Sequence, residues 1–371
     1  MASLIEDTIK PGIQFINGIK PRDKVAIVYG HDNDTICSAT IIYKLLKKLH
    51  GIESTLIVSE LNSQVTESVL AGIRKSKSDH VIIVDIGTVG VEVLAELRKI
   101  SDILIIDHHM PKGYVKVAYV NPRIYDKHAY IPATYLCYKL YENYSDAKDV
   151  SWIAGIGTLS DMGLKNCNDL FEGVKRDYGE LVGNNRNIDE ILFDKSLLGK
   201  LAKICDSGRV VGGIDGTVLA LTALIKAKSY QEILDGRFDE SRKLLEFHNL
   251  SEKEFNRLVN DFDKSRKQRK GIVVYEVKSK LNMKSPLATF LSRKMKNDVL
   301  VIYQKSGKYV DASFRRGGGS KVDLDELASK SVAGIPGSNS GGHIQAAGAR
   351  FLVKYTNSWL KNLEKGLEQV K

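Results

Sequence analysis

Cysteine is scarce in this chain of 371 residues. The four present, Cys37, Cys137, Cys167 and Cys205, stand far apart with no Cys-x-x-Cys among them. That spacing argues against a disulfide framework and a zinc knuckle, and it leaves buried packing as their expected role. Long apolar runs are missing too, and none approaches the length of a transmembrane helix. The start, Met1-Ala2-Ser3-Leu4-Ile5-Glu6-Asp7, lacks the basic-then-apolar order of a secretory signal. A cytoplasmic protein without a membrane partner is expected. What is present is a composition of 43% hydrophobic and 27% charged residues, enough for substantial cores and for two or three domains. Lys and Arg outnumber Asp and Glu 55 to 45. The net charge of +10 favours polyanions, chiefly nucleic acid, as partners.

Chemistry concentrates where apolar runs stop. Ile103-Leu104-Ile105-Ile106 leads straight into Asp107-His108-His109, the pattern of a buried parallel strand whose C-terminal tip enters a site. A carboxylate beside two imidazoles suits a metal: one imidazole binds it, the carboxylate orients that imidazole, and the second reaches substrate. Two further runs end alike. Lys24–Tyr29 ends in Gly30-His31-Asp32-Asn33-Asp34-Thr35, and His80–Val84 ends in Asp85-Ile86-Gly87-Thr88. The Asp-x-Asp pair at a helix N-terminus fits a site holding two metals about 3.5–4 Å apart, or simple N-capping. Helical patterns between these runs imply right-handed βαβ units, so all three tips share one sheet edge and their side chains can converge.

Other segments follow in order. Residues 1–19 carry an amphipathic helix pattern (Ile5, Ile9, Ile13, Ile16), broken or restarted at Pro11-Gly12. Strands are expected at 54–59 and 115–120, and helices near 62–77, 91–100, 131–144 and 148–164. The last of these carries Asp161 among small and apolar neighbours, where burial demands a partner such as a metal, a cap or a salt bridge. Residues 165–240 read as mixed helices with no legible chemistry. Residues 238–270 read as a charged helical connector with a basic end, Lys267 to Lys270. From Gly271 a smaller α/β unit follows, holding Ser313-Phe314-Arg315-Arg316 and Gly341-Gly342-His343-Ile344-Gln345-Ala346-Ala347-Gly348. Glycines beside an imidazole let backbone approach a phosphate, while Arg and His supply charged donors; the same glycines also suit plain turns. The expected organisation is a mostly parallel N-terminal sheet with flanking helices (1–237), a helical connector (238–270) and a C-terminal domain with a mixed sheet (271–371).

Together these motifs resemble the DHH phosphoesterase superfamily with its DHH-associated C-terminal domain, over nearly the whole chain. That superfamily includes RecJ-like exonucleases, nano-RNases, and oligonucleotide and cyclic dinucleotide phosphodiesterases. The resemblance implies that Asp32, Asp34, Asp85, His108 and Asp161 hold two manganese ions, with magnesium as the alternative metal and Asp85 as the bridge. It also implies that Asp107 supports His108, that His109 faces the phosphate, and that Asp107, His108 and His109 form the catalytic group. Ser313, Arg315, Gly341, Gly342 and His343 would hold the far phosphate or terminus. The chain departs from the family pattern at one place. The imidazole usual two or four residues before the first Asp is replaced by Gly30 and Val28, and Thr35 replaces a glycine. His31 is the nearest alternative ligand, although an extended backbone would turn it away. The implied activity is manganese-dependent hydrolysis of single-stranded or short DNA or RNA. The alternatives are a catalytically weakened replication or repair factor that binds DNA or a protein partner, and a small-molecule phosphatase.

Overall fold

The computed structural model describes residues 2–60, 65–87, 89–111, 116–269 and 271–369. Thr88, Val115, Lys270 and residues 62–64 of the helix expected near 62–77 lie outside the described residues. The chain divides into two compact units, Met1–His248 and Asn249–Lys371.

The first unit is built on five parallel strands: β1 (Val25–Tyr29), β2 (Thr55–Val58), β3 (His80–Val84), β4 (Asp102–Ile106) and β5 (Ala118–Val120). Their order is β2-β1-β3-β4-β5, and every pairing is parallel. Because successive strand side chains alternate in direction, each strand feeds two cores. Ile27, Tyr29, Ile82, Val84, Leu104 and Ile106 face one core with Ile41, Ile42, Leu136 and Ile153. Val28, Val81, Ile83, Ile103 and Ile105 face the other with Val69, Leu70, Ile73 and Leu94. This two-sided burial is why the strands read as unbroken apolar runs. It contributes on the order of 1.5–3 kcal/mol per fully buried aliphatic side chain.

The helices that position the site are α1 (Ala2–Gly18), α2 (Asn33–His50), α3 (Glu67–Ser76), α4 (Val91–Leu97), α5 (Ala133–Tyr144) and α6 (Lys148–Ser160). The break expected at Pro11-Gly12 does not occur: α1 runs through Pro11. Proline lacks the N–H that would bond to the carbonyl four residues back, and that carbonyl, Asp7 O, accepts instead from Tyr125 Oη at 3.2 Å. Ile5, Ile9 and Ile16, buried in the core, hold the helix in place around the proline.

Past Asp161, the helix Leu197–Lys226 corrects another expectation. By length and composition it is apolar enough to cross a membrane. It is kinked at Gly213 (φ 58°, ψ −134°), however, and Leu198, Leu201, Ile204, Leu221 and Leu224 are buried in the core of the first unit.

The second unit carries β6 (Lys267–Arg269), β7 (Ile272–Val277), β8 (Val299–Ser306), β9 (Tyr309–Arg316), β10 (Asn339–His343) and β11 (Ala346–Leu352). They form a mixed sheet of order β10-β11-β9-β8-β7-β6 in which only β7 and β8 run parallel. Residues 267–269, expected as the basic end of the helical connector, are strand β6 paired with β7. The helix itself, Asp239–Ser265, ends before them. Trp359 anchors the core on one sheet face, among Tyr303, Phe314 and Phe351.

Candidate metal centre

The tips of β1, β3 and β4, three neighbouring strands, deliver the acidic and imidazole groups to one place. Asp32 is the N-cap of α2: its Oδ1 accepts from Thr35 N at 3.1 Å, and Thr35 Oγ1 donates to Asp32 O at 2.9 Å. Thr35 is thus used to build the turn. Asp34 sits two positions further in, buried, and aims at the start of α5. Its two carboxylate oxygens accept from Ala133 N (3.0 Å) and Thr134 N (2.8 Å), filling donors that a helix N-terminus leaves open. Thr134 Oγ1 donates back to Asp34 O at 2.8 Å. At the tip of β3, Asp85 takes φ +51°, a left-handed conformation uncommon outside glycine. Its amide donates to Ile106 O at 2.8 Å, which carries the ladder one residue past the strand.

His108 stands at the centre. Its Nε2 lies 3.4 Å from Asp85 Oδ1, 3.7 Å from Asp161 Oδ2 and 3.9 Å from Asp34 Oδ2. Two overlapping groups of potential ligands result, Asp34–His108–Asp161 and Asp85–His108–His109, each with its ligand atoms within 4.8 Å of one another. Asp161 does not lie within a helix as expected. It is the C-cap of α6, where the chain turns through Met162 at φ +53°. Ending the helix there frees the carboxylate to leave the helix surface. Tyr130 fixes it, its hydroxyl donating to Asp161 Oδ2 (2.9 Å) and O (2.7 Å) while its ring meets His108 edge-on. Gly157 lets α6 come this close, since a Cβ there would lie 2.3 Å from Thr134 Oγ1 and 2.8 Å from Cys37 Cβ.

One expected pairing is different. Asp107 does not support His108; its Oδ1 lies 2.8 Å from His109 Nδ1 and also accepts from His109 N at 3.3 Å. The cause is local, because an Asp carboxylate readily folds back onto the residue two positions on. His108 Nδ1 is buried without a hydrogen-bond partner. Burial alone would raise Asp107, but the bonded His109 and the charge of both imidazoles hold its carboxyl below the usual range. His109 is correspondingly raised: burial works against its charge, and the bond to Asp107 outweighs it.

The other carboxylates behave in the opposite way. Burial, then the charge of Asp161, pushes Asp34 up to about 7. Burial, then Asp34, pushes Asp85 well above its ordinary value. Asp161 is raised by burial as well, against the pull of His108. Without a cation this cluster holds protons, because buried like charges disfavour ionisation. Asp85 Oδ1 is fully buried and accepts no hydrogen bond. Oxygen donors with an imidazole, in excess negative charge, suit a hard or borderline divalent ion. The residues therefore fit a divalent metal ion.

Of the residues named from sequence, Asp34, Asp85, His108, His109 and Asp161 are brought together. Asp32 lies close enough to raise Asp34, Asp85 and Asp161 electrostatically, but it belongs to neither ligand group, and nor does His31. Sequence reasoning missed Tyr130 and Arg209. Tyr130 lies in an irregular stretch, and Arg209 lies where the helices carried no legible signal. Ala202, Asp206 and Arg209 follow one face of the Leu197–Lys226 helix at i, i+4, i+7 spacing. Asn33 Nδ2 bonds to Ala202 O at 2.8 Å, which ties that face to the β1 tip. Arg209 donates to Asp206 Oδ1 at 3.1 and 2.6 Å, with the charge of Asp32 nearby.

In the second unit, strand register aligns the remaining residues. Arg315 pairs with Ala346, which pairs with His343; Ser313 pairs with Gly348, which pairs with Gly341. These positions share one sheet face. A Cβ at Gly341 would meet nothing within 4 Å, whereas at Gly342 it would lie 2.4 Å from Ala346 O, so only glycine fits beside the turn. The His343 side chain lies outside the described residues.

The family described as DHH family, N-terminal domain, matches residues 24–158. No curated protein matches the chain. Among solved structures, RecJ of Thermus thermophilus in complex with Mn2+ aligns at TM-score 0.72 and 15% identity, over 99% of this chain and 55% of that one. This chain thus spans about half the length of that RecJ. The DHH domain of a member of a ribosomal-protein family aligns at TM-score 0.74 and 14% identity, over 100% of this chain and 92% of that one. CDC45 from Entamoeba histolytica aligns at TM-score 0.53 and 11% identity, over 98% of both chains. At these identities the likeness is one of fold.

Proposed function

From a chain that carries a DHH-family N-terminal domain over residues 24–158, we propose a divalent-metal phosphodiesterase that hydrolyses single-stranded or short oligonucleotides, with manganese as its preferred metal. The observation that carries this reading is the convergence of Asp34, Asp85 and Asp161 around His108 Nε2, with Asp34, Asp85 and His108 buried and Asp161 half-buried.

Asp34, Asp85, His108 and Asp161 would hold the metal, with Asp32 adding charge beside them. When bound, divalent cations would polarise a phosphoryl oxygen and activate water for attack. The protein supplies the rest. Tyr130 holds Asp161 in place, and the Asp107–His109 bond raises His109 toward its charged form and fixes its ring beside Asp85. A cationic imidazole there can stabilise the developing charge of a phosphate or donate a proton to the leaving oxygen. Arg209, fixed by Asp206, adds a second cation near Asp32. In the second unit, the Ser313–Gly348–Gly341 and Arg315–Ala346–His343 rows offer small residues and backbone for close approach by phosphate.

A second reading, a factor that keeps the fold and binds nucleic acid or a replication partner without hydrolysis, is favoured by one observation. The positions where family members carry an extra imidazole are Val28 and Gly30. Calorimetry with manganese separates the two, since a non-catalytic factor should take up little or none. The direct test is cleavage of a short labelled oligonucleotide. Asp85→Ala and His108→Ala should each abolish manganese-dependent cleavage while circular dichroism stays unchanged. Full activity in either variant would refute the assignment.

A further inference from the structure

The excess charge of this protein lies in the unit that carries the glycine-rich rows. Residues 249–371 hold 24 Lys and Arg against 12 Asp and Glu, a net +12, whereas residues 1–248 hold 31 against 33, a net −2. On the sheet face that bears Ser313 and Arg315, charged side chains stand at two ends with bare backbone between them. Register extends the rows already described. Two residues along from the Ser313–Gly348–Gly341 row, Asp311 pairs with Arg350 and Arg350 with Asn339, and Tyr309 follows two residues further along β9. All lie on the Arg315 face, because side chains alternate along a strand. Over β9, β11 and β10 this face holds two arginines, Arg315 and Arg350, against one carboxylate, Asp311. Arg315 and Asp311 stand four residues apart on β9, about 13 Å.

The row between them has two members without side chains. Neither Gly341 nor Gly348 takes a positive φ. A Cβ at Gly341 would meet nothing within 4 Å, and one at Gly348 would meet only Ala312 O at 3.5 Å, an ordinary contact. Neither a turn nor packing calls for glycine at these two strand positions, where it weakens a sheet. The remaining use of glycine there is close approach by another molecule. Ser313, the third member of the row, is 7% exposed, and its hydroxyl makes no hydrogen bond among the described residues. It shares its face with the two glycines, so this unpartnered group stands at the side of the same bare floor.

Arg350 is held at the far end of that floor. Its guanidinium sits over the Tyr309 ring, 4.4 Å from the centroid, and its Nη1 lies 3.6 Å from Asp311 Oδ1. The side chain is still 48% exposed. A guanidinium fixed by a ring on one side offers its other side to an unpaired base, since bases stack on arginine planes as they do on aromatic rings. Arg315, at the opposite end, offers charge to a phosphate. A nucleotide meets these features in order: phosphate at Arg315, sugar over the glycines beside the Ser313 hydroxyl, base on Arg350. The one carboxylate, Asp311, stands at the base end, where it disfavours a second phosphate. A sugar phosphate has nothing for Arg350 to stack on, and an acidic peptide would place charge against Asp311.

We propose that Arg350 and Tyr309 form a nucleobase subsite for the nucleotide whose phosphate lies at the Arg315 row. This deepens the proposed function by naming what the second unit reads in an oligonucleotide, and it rests on that reading only for its link to hydrolysis.

The test is calorimetry on the full chain in chelator, with adenosine 5′-monophosphate and ribose 5-phosphate as probes. The native protein should bind the nucleotide more tightly than the sugar phosphate. Arg350→Ala should weaken nucleotide binding about 5- to 100-fold, the range of one base stack, while sugar phosphate binding holds. Arg350→Lys keeps the charge but lacks the plane, so it should lose most of the same preference. Equal binding of the two probes by the native protein would overturn the subsite, as would equal weakening of both in Arg350→Ala. Full nucleotide affinity in Arg350→Lys would do the same, because charge alone would then account for the contact. In manganese, Arg350→Ala should raise KM for a dinucleotide more than KM for its abasic analogue. If no preparation hydrolyses the dinucleotide but Arg350 still distinguishes the probes, the subsite stands and the hydrolase reading falls. Hydrolysis by a protein that shows no preference between the probes sinks the subsite alone.

Discussion

Removing the divalent cation should make this protein less stable as pH rises, a direction opposite to ordinary acid denaturation. Asp34 is buried and raised to about 7 in the folded chain, against 3.8 as its ordinary value. The folded state therefore binds the proton more tightly than the unfolded state does. Its contribution is fully present below about pH 4 and is lost as pH rises through about 7. At about 1.36 kcal/mol per unit, the loss is on the order of 4 kcal/mol in full, and about 3 kcal/mol of it falls between roughly pH 5 and 8. Asp85 and Asp161 are raised for the same reason, and His109, raised by Asp107, loses its contribution in the same direction. At roughly 2–4 °C per kcal/mol, the melting midpoint in chelator should fall by about 6–12 °C from about pH 5 to pH 8. With manganese the slope should vanish or reverse, because a bound cation keeps the carboxylates ionised and its affinity rises as they deprotonate. The assay is thermal melting followed by circular dichroism at matched ionic strength, with Asp34→Asn as a control that should flatten the chelated slope. A chelated midpoint that stays level or climbs over that range would show that these carboxylates are not an uncompensated cluster. The cation site would then lose its physical basis.

Other outcomes follow from the same contacts. Tyr130→Phe removes the bond to Asp161 and should weaken manganese binding about 10–100-fold by calorimetry, with cleavage recovered at higher manganese. Gly157→Ala forces a methyl into Thr134 and Cys37 and should cost about 1–3 kcal/mol in urea unfolding; a change under about 0.5 kcal/mol would show that α5 and α6 are not locked there.

The sheet and its three reactive tips were legible in the sequence for a simple reason. A parallel strand buried on both faces needs an unbroken apolar run, and polar groups ending such a run can only emerge at the tip. Asp32, Asp34, Asp85 and Asp107-His108-His109 were found this way. Pro11 misled because local propensity says nothing of Tyr125, which takes up the carbonyl that proline leaves unbonded. Asp161 was singled out as an acid among small and apolar neighbours, but it is half-buried, and its place at a helix end depends on the turn at Met162.

The amino-acid order by itself determined which residue types would stand at which strand tips, and that the excess positive charge would fall after residue 249. Folding decided what those groups do to one another. Asp107 engages His109 and not His108, Asp34 meets the start of α5, and Arg209 approaches Asp32 from a helix far along the chain. Periodicity records which face of an element is buried. The angle at which a side chain leaves that face, and the neighbour it then meets, is set by contacts between residues far apart in the chain.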